Sequence, residues 1–125
     1  PALSKGINVI CERYSDATYA YQIGGRGLPA KPVKDADSLA TGGLIPDLTI
    51  LLDLDPEEGF ARLRRQGREK DRIELEKISF HRRVRQIYLE LASNEPRYFV
   101  IDASQKPDVQ DRLIIDSVMS MISGK

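Results

Sequence analysis

Residues 47–54 form the part of the sequence that most constrains the fold, because this run is apolar on both of its faces. Its apolar members are Leu48, Ile50, Leu51, Leu52 and Leu54. A strand of this composition is typical of the centre of a parallel sheet that helices cover on both sides. The segment Asp55-Pro56-Glu57-Glu58 follows at once. It predicts a helix, because aspartate caps, proline fits the first turn and acids suit the positive end.

Strand and helix patterns alternate along the rest of the chain in the same way. Apolar runs predict two more strands, at about 8–11 and 98–101. Apolar stripes predict helices at 16–22, 35–40, 56–66, 74–93 and from 109 onward. The stretch 23–27 should end the first helix, because its three glycines favour open backbone. The predicted fold class is α/β, a parallel sheet with flanking helices.

Composition narrows the class of protein. The chain has 125 residues, 41% of them apolar and 30% charged, which suits one soluble domain or a large part of one. The net charge is zero, so we expect neither nucleic acid nor a membrane as a partner. No apolar run reaches the length of a membrane span, and we expect a cytoplasmic protein. Cys11 permits no internal disulfide and is predicted to be a small buried residue.

Polar side chains follow the first predicted strand, at Glu12 and Arg13. Open α/β sheets bind ligands at the carboxyl ends of their strands. The fork of Arg13 suits a phosphate, and the start of the next helix offers free N–H groups. Thr18, Tyr21 and Gln22 follow at helical spacing and predict a site for a nucleoside monophosphate. The plainer interpretations are a salt bridge for Arg13, a core position for Tyr21 and a solvated helix face for the other two.

A second candidate site lies in the arginine-rich segment between Arg62 and Arg72. Five arginines and one lysine stand there with only two acids, a local excess of four positive charges. Gly67 offers a point where the backbone can bend. For Arg62 and Arg65 we favour the interpretation as a solvated helix face. His81, which is alone among arginines on a predicted helix, is expected at the surface.

Several blocks of the sequence resemble thymidylate kinase of the bacterial type. The resemblance is carried by Glu12-Arg13-Tyr14 with Ala20-Tyr21-Gln22, and by Asp71-Arg72-Ile73-Glu74 at the end of the arginine-rich segment. It is also carried by the run Ala40–Thr49, which leads into a strand, and by Tyr98–Gln105. These blocks occur in the family's order from Pro1 to about Met121.

One departure from the family concerns the phosphate loop. No G-x-x-x-x-G-K-[ST] occurs in the 125 residues, whereas the family places this ATP cradle near its N-terminus. The resemblance therefore implies that residues 1–125 are the C-terminal portion of a single P-loop nucleoside monophosphate kinase domain, with the first two strands missing and a lid at about 62–74. We expect this chain alone to be poorly stable and inactive.

The resemblance also implies an activity and the residues that carry it. The enzyme would transfer the γ-phosphoryl of ATP to dTMP, giving dTDP for dTTP biosynthesis, with Mg²⁺ and as a homodimer. The residues expected to bind dTMP are Arg13, Thr18, Tyr21 and Gln22. The arginines expected to be catalytic are Arg64, Arg68 and Arg72. The residues expected to bind ATP are Arg64, Ala103, Ser104 and Gln105. Glu12 would hold Mg²⁺ through water.

Two alternatives remain open. The first is another nucleotide kinase of the same fold, against which Ala20-Tyr21-Gln22 and Asp71-Arg72-Ile73-Glu74 argue. The second is a non-catalytic nucleotide-binding domain that never had a phosphate loop. A lid has little use without phosphates on which to close, which makes the second alternative the weaker one.

Overall fold

The computed structural model describes residues 1–66 and 72–124. The strands are β1 (Thr49–Asp53) and β2 (Tyr98–Asp102). The α-helices are α1 (Ser15–Thr18), α2 (Ala30–Thr41), α3 (Pro56–Arg65), α4 (Arg72–Asn94) and α5 (Pro107–Ser123). A short 3₁₀ turn covers Leu3–Lys5, and a π-helical segment, Tyr19–Gly25, continues α1. The described chain is thus an α/β arrangement, as the sequence predicts.

The sheet consists of β1 and β2, which pair in parallel. Thr49 lies beside Tyr98 and the register continues to Asp53 beside Asp102. The amide of Ala103 donates to the Asp53 carbonyl at 2.8 Å and extends the ladder past the last pair. Ile101 is 1% exposed. Two of the three predicted strands are therefore confirmed, and both end at a carboxylate on the same edge of the sheet.

The strand predicted at 8–11 is wrong. Residues 7–11 have no regular secondary structure, and Ile10 is 94% exposed. A strand needs a neighbour to take its backbone hydrogen bonds, and in the described part of the chain none lies beside this segment. Cys11 is exposed as well, and its thiol donates to the Arg13 carbonyl at 3.3 Å. The prediction of a buried cysteine failed with the strand that was to bury it.

The helix after Tyr14 continues through the glycines that were expected to end it. The π-helical segment runs to Gly25, and positive φ first returns at Gly27 (69°). A Cβ on Gly24 would lie 2.5 Å from Cγ1 of Ile87 and 2.9 Å from the carbonyl oxygen of Arg83, both on α4. The glycines therefore allow the π-helical segment and α4 to approach closely. The prediction of a helix end at these glycines was wrong, because they serve this close packing.

The π-helical segment presents its two tyrosines to different neighbours. The hydroxyl of Tyr19 donates to Asp37 on α2 at 2.8 Å. Burial, together with this bond, raises the pKa of Tyr19 to about 12. Tyr21 instead faces α4, where its ring meets that of Phe80. The two rings diverge because side chains two positions apart do not share a helix face.

The remaining helices follow the sequence signals closely. Asp55 caps α3 by accepting the Glu57 amide at 2.8 Å, as predicted. The helix α2 ends at Gly42 (φ 63°), but it begins at Ala30, five residues before the predicted start. Pro32 is compatible with the earlier start, because it falls in the first turn, where no N–H is needed. Ile78 and Val84 of α4 are buried, each 4% exposed.

Few large apolar side chains are buried. Within the described residues the apolar core consists of Ala20, Ile78, Val84 and Ile101, each at most 4% exposed. Large apolar side chains elsewhere remain open to solvent, among them Leu39, Ile45 and Ile115. None of the described helices is both long enough and apolar enough to span a membrane.

Candidate functional site

Arg13 lies in the turn that leads into α1, with a backbone φ of 64°. It is the single non-glycine residue with positive φ in the described part of the chain. Its Nη2 donates to the Tyr21 hydroxyl at 3.1 Å, and its Cζ lies 5.0 Å from the centroid of that ring. A guanidinium has five N–H donors, so donors remain for an anion on this exposed side chain. Among residues 1–66 and 77–124 no ion pair joins Arg13 to an acid, which removes the salt-bridge interpretation there.

Tyr21 is half-buried and belongs to a group of four rings. Its centroid lies 5.9 Å from that of Phe80 and 6.4 Å from that of His81. Phe60 of α3 reaches the same histidine at 5.8 Å. His81, which was expected at the surface, is partly buried, because these rings pack against it. Burial, assisted by the charge of Lys77, lowers the pKa of His81.

The other predicted ligands of the monophosphate lie on the same stretch but are not drawn together. Thr18 is exposed at the end of α1. The Gln22 side-chain oxygen accepts from Arg26 at 3.4 Å. Glu12 is exposed beside Arg13. No described hydrogen bond joins these three side chains to Arg13 or Tyr21. The structure thus brings together two of the four residues expected to bind dTMP.

The helix α3 carries the first part of the arginine-rich segment. Arg62 donates to Glu58 at 2.9 Å and to the carbonyl of Ser104 at 3.5 Å. It therefore contacts the loop after β2, although the sequence favoured a solvated position. Arg64 is half-buried on the same helix. Arg68 lies outside the described residues, as does the side chain of Arg72, whose backbone begins α4.

The loop after β2 is organised by its own side chains. The Asp102 carboxylate accepts the amide of Ser104 at 2.9 Å and its hydroxyl at 2.6 Å. These two bonds hold the pKa of Asp102 below its ordinary value. Gln110 of α5 donates to the carbonyls of Ala103 and Gln105, at 3.2 and 2.7 Å. The loop is thereby shaped before any ligand arrives.

Comparison with known families matches residues 1–114 to the family described as thymidylate kinase. The chain belongs to the thymidylate kinase family. It is 43% identical to the thymidylate kinase of Trichlorobacter lovleyi, over 98% of this chain and 61% of that protein. It is 49% identical to the thymidylate kinase of Deinococcus radiodurans, over 86% of this chain and 52% of that protein. The identity to the thymidylate kinase of Hahella chejuensis is 39%, over 99% of this chain and 60% of that protein. The chain spans between about half and three fifths of the length of these curated relatives.

Sequence reasoning missed one arginine at the carboxyl end of β1 in this thymidylate kinase chain. Arg85 of α4 holds Asp53 with two bonds, at 2.8 and 3.0 Å, and reaches Asp55 at 3.4 Å. The bond to Asp53 raises the pKa of Arg85. The two aspartates therefore belong to an ion pair and a helix cap. The available signal was the position of Arg85 next to Val84, a residue of the apolar stripe of α4, which could have predicted a buried charge partner.

Sequence reasoning also missed the ion pair that secures α1, between Asp16 and Arg97. Asp16, only 5% exposed, receives two bonds from Arg97, at 2.8 and 3.3 Å. Arg97 also donates to Glu95 at 2.6 Å and to Thr49, and its guanidinium lies over the Tyr98 ring at 4.6 Å. Burial raises the pKa of Tyr98. The cluster ties the helix that follows Arg13 to the start of both strands.

Proposed function

We propose that this chain is the C-terminal portion, residues 1–125, of a single thymidylate kinase domain that transfers the γ-phosphoryl of ATP to dTMP and releases dTDP. The observation that carries the proposal is the contact between Arg13 and Tyr21. An arginine held at a helix start, with its guanidinium against a ring and donors left over, suits a nucleotide whose phosphate and sugar are adjacent. Membership of the family supports the choice of dTMP.

In this proposal Arg13 grips the acceptor phosphate and Tyr21 lies against the deoxyribose. Thr18 and Gln22 would meet the base once the nucleotide is present. The loop Ala103-Ser104-Gln105 would lie beside the adenine, where its small side chains let a flat base approach. Arg64, Arg68 and Arg72 of the lid at about 62–74 would stabilise the charge of the transferring phosphoryl. Phosphoryl transfer asks for positioning and positive charge more than covalent chemistry.

The residues present fit a magnesium ion that is bound mainly by phosphates and water. Glu12 offers an exposed carboxylate. No group of three or more acidic, histidine or cysteine side chains in the described part of the chain stands ready to hold a metal. Mg²⁺ in kinases is usually bound through one or two carboxylates together with substrate phosphates and waters. Glu12 would hold it through water, and the ion would offset the phosphate charge.

The remaining parts of the proposal concern the whole protein. We infer a cytoplasmic homodimer whose partners are the nucleotides dTMP and ATP, with no nucleic-acid or membrane partner, acting in dTTP biosynthesis. The test uses the full-length protein with ATP and Mg²⁺ and a panel of nucleoside monophosphates. Formation of dTDP and ADP, with dTMP preferred over dCMP, AMP and UMP, is expected. Preference for another monophosphate would instead identify a different nucleotide kinase, and binding without turnover would identify a non-catalytic domain.

A further inference from the structure

His81 contacts the other three rings of the group to which Tyr21 belongs. It meets Tyr21 nearly edge-on, with the ring planes at 85°. It meets Phe80 in the same way, at 88° and 5.4 Å. Phe60 lies against it at 5.8 Å from α3. Rings at such separations and angles attract each other, because the positive edge of one faces the negative face of another.

These contacts join three elements at one side chain. Tyr21 comes from the π-helical segment, His81 and Phe80 from α4, and Phe60 from α3. No hydrogen bond among the described residues engages the His81 ring, and its contacts there are with the rings of Tyr21, Phe60 and Phe80. The hydroxyl of Tyr21 receives the Arg13 donor at 3.1 Å. The position of the Tyr21 ring therefore determines where the guanidinium of Arg13 is held.

We propose that His81 is a positioning residue for the acceptor nucleotide. It holds the ring of Tyr21 at the place where the hydroxyl meets Arg13, and it links that ring through Phe60 to the helix that carries Arg64. This inference rests on the proposed function, since it concerns the same site. His81 would touch neither nucleotide and would act through Tyr21.

The test compares His81→Ala with His81→Phe in the full-length protein. His81→Ala removes the ring contact, so we expect the KM for dTMP to rise about two- to tenfold, the range that one aromatic pair supplies. The preference for dTMP over its ribose counterpart should narrow at the same time. The KM for ATP should not change. His81→Phe keeps a ring and should retain the KM and the preference of the unchanged protein.

Two further variants separate positioning from general packing. Gln86→Ala changes an exposed side chain on the same helix and should leave all kinetic constants unchanged. In a protein that already carries Tyr21→Leu, His81→Ala should no longer raise the KM for dTMP, because the ring it positions is gone. If His81→Ala does not fold, His81→Leu replaces it, because leucine fills the space without an aromatic ring.

The outcomes distinguish this inference from the proposed function. Failure of the unchanged protein to phosphorylate dTMP would overturn the proposed function and the inference with it. Turnover of dTMP with the same KM in His81→Ala and His81→Phe would overturn the inference alone. A fall in melting temperature without any change in the KM for dTMP would also overturn it, because that is the signature of a residue that only fills space.

Discussion

Arg13 combines an unfavourable backbone with a well-supported side chain. Its φ of 64° lies in the left-handed region, which costs a non-glycine residue about 1–2 kcal/mol. The side chain gains a hydrogen bond to the hydroxyl of Tyr21 and a cation–π contact with its ring. A strained turn of this kind persists where the surrounding structure fixes it, which is common at binding sites.

The first prediction is that Arg13→Ala in the full-length protein impairs the use of dTMP. Loss of hydrogen bonds to a charged phosphate costs about 1.5–3 kcal/mol, so kcat/KM for dTMP should fall by about 10- to 150-fold. The KM for ATP should stay constant. Steady-state kinetics with each substrate varied in turn gives the answer, with Arg112→Ala on α5 as the control. A rise in the KM for ATP alone would show that Arg13 contacts ATP and not dTMP.

Tyr21 offers a second prediction at the same scale, because its ring lies beside Arg13, the residue that we propose binds the phosphate. If the ring occupies the space of a 2′-hydroxyl, Tyr21→Ala should narrow the preference for dTMP over its ribose counterpart by about 10- to 200-fold. Tyr21→Phe should narrow it less, because the ring remains. The ratio of kcat/KM for the two nucleotides measures this. An unchanged ratio in a destabilised Tyr21→Ala protein would restore the core interpretation of Tyr21.

The third prediction uses the lowered pKa of His81. A histidine whose pKa is lower in the folded state than in the unfolded state binds more protons when unfolded. Its contribution to stability is therefore complete above its ordinary pKa of about 6.5 and is lost as the pH falls toward the lowered value. Among the described residues, Lys77 on its own helix acts on it by charge, and Tyr21, which is bonded to Arg13, packs against its ring. The melting temperature of His81→Phe should fall less than that of the unchanged protein between pH 7.5 and 5.5, both chosen to bracket about 6.5. Equal falls in the melting temperatures of the two proteins over this pH range would contradict the lowered pKa of His81.

The candidate site could be predicted where its residues are close in sequence. Arg13 and Tyr21 are eight positions apart, and helical spacing was enough to suggest that they face one ligand. Arg85 and Asp53 are 32 positions apart, and only packing of α4 against β1 makes them neighbours. The ring contacts of His81 could not be predicted for the same reason, because Phe60 and Tyr21 belong to separate elements that only the folded structure brings together.

At the scale of the elements, the glycines of the π-helical segment give the fourth prediction. Gly24→Ala would place a Cβ against a backbone carbonyl of α4, which cannot move aside, and should reduce the free energy of unfolding by about 1–3 kcal/mol. Gly59→Ala on α3 is the matched control, because its new Cβ would meet only Leu54, at 3.6 Å. That substitution should stabilise the protein by about 0.5–1 kcal/mol, since alanine favours a helix. Denaturant unfolding of both variants distinguishes them, and equal effects would refute the close-approach argument.

Some helices and strands could be predicted from local sequence, whereas others depend on residues that are distant in sequence. Asp55 and Pro56 mark the start of α3 within four residues, and the apolar run 47–54 contains β1, so both were predictable from local sequence. The run 8–11 has the same apolar character, but a strand also needs a partner, and no local pattern reports one. The role of Gly24 was misjudged because the side chain against which it packs, that of Ile87, belongs to another helix.

At the scale of the whole molecule, the fifth prediction concerns activity of the chain alone. No phosphate loop occurs in its sequence, and that loop supplies the N–H groups and lysine that cradle the ATP phosphates. The purified 125-residue chain should therefore not convert dTMP to dTDP. An assay for dTDP with ATP and Mg²⁺ tests this, with the same chain carrying Arg64→Ala as the background. Turnover above that background would contradict the prediction.

The ion pair between Asp16 and Arg97 also has a consequence for the order in which parts of the chain fold. Its members are 81 positions apart in a chain of 125 residues. Contacts this distant close late, because the entropy of the loop must be lost before the contact repays it. The segment with Arg13 and Tyr21 therefore gains its anchor only when the turn before β2 arrives. During synthesis on the ribosome, this segment would lack that anchor until about four fifths of this chain had emerged.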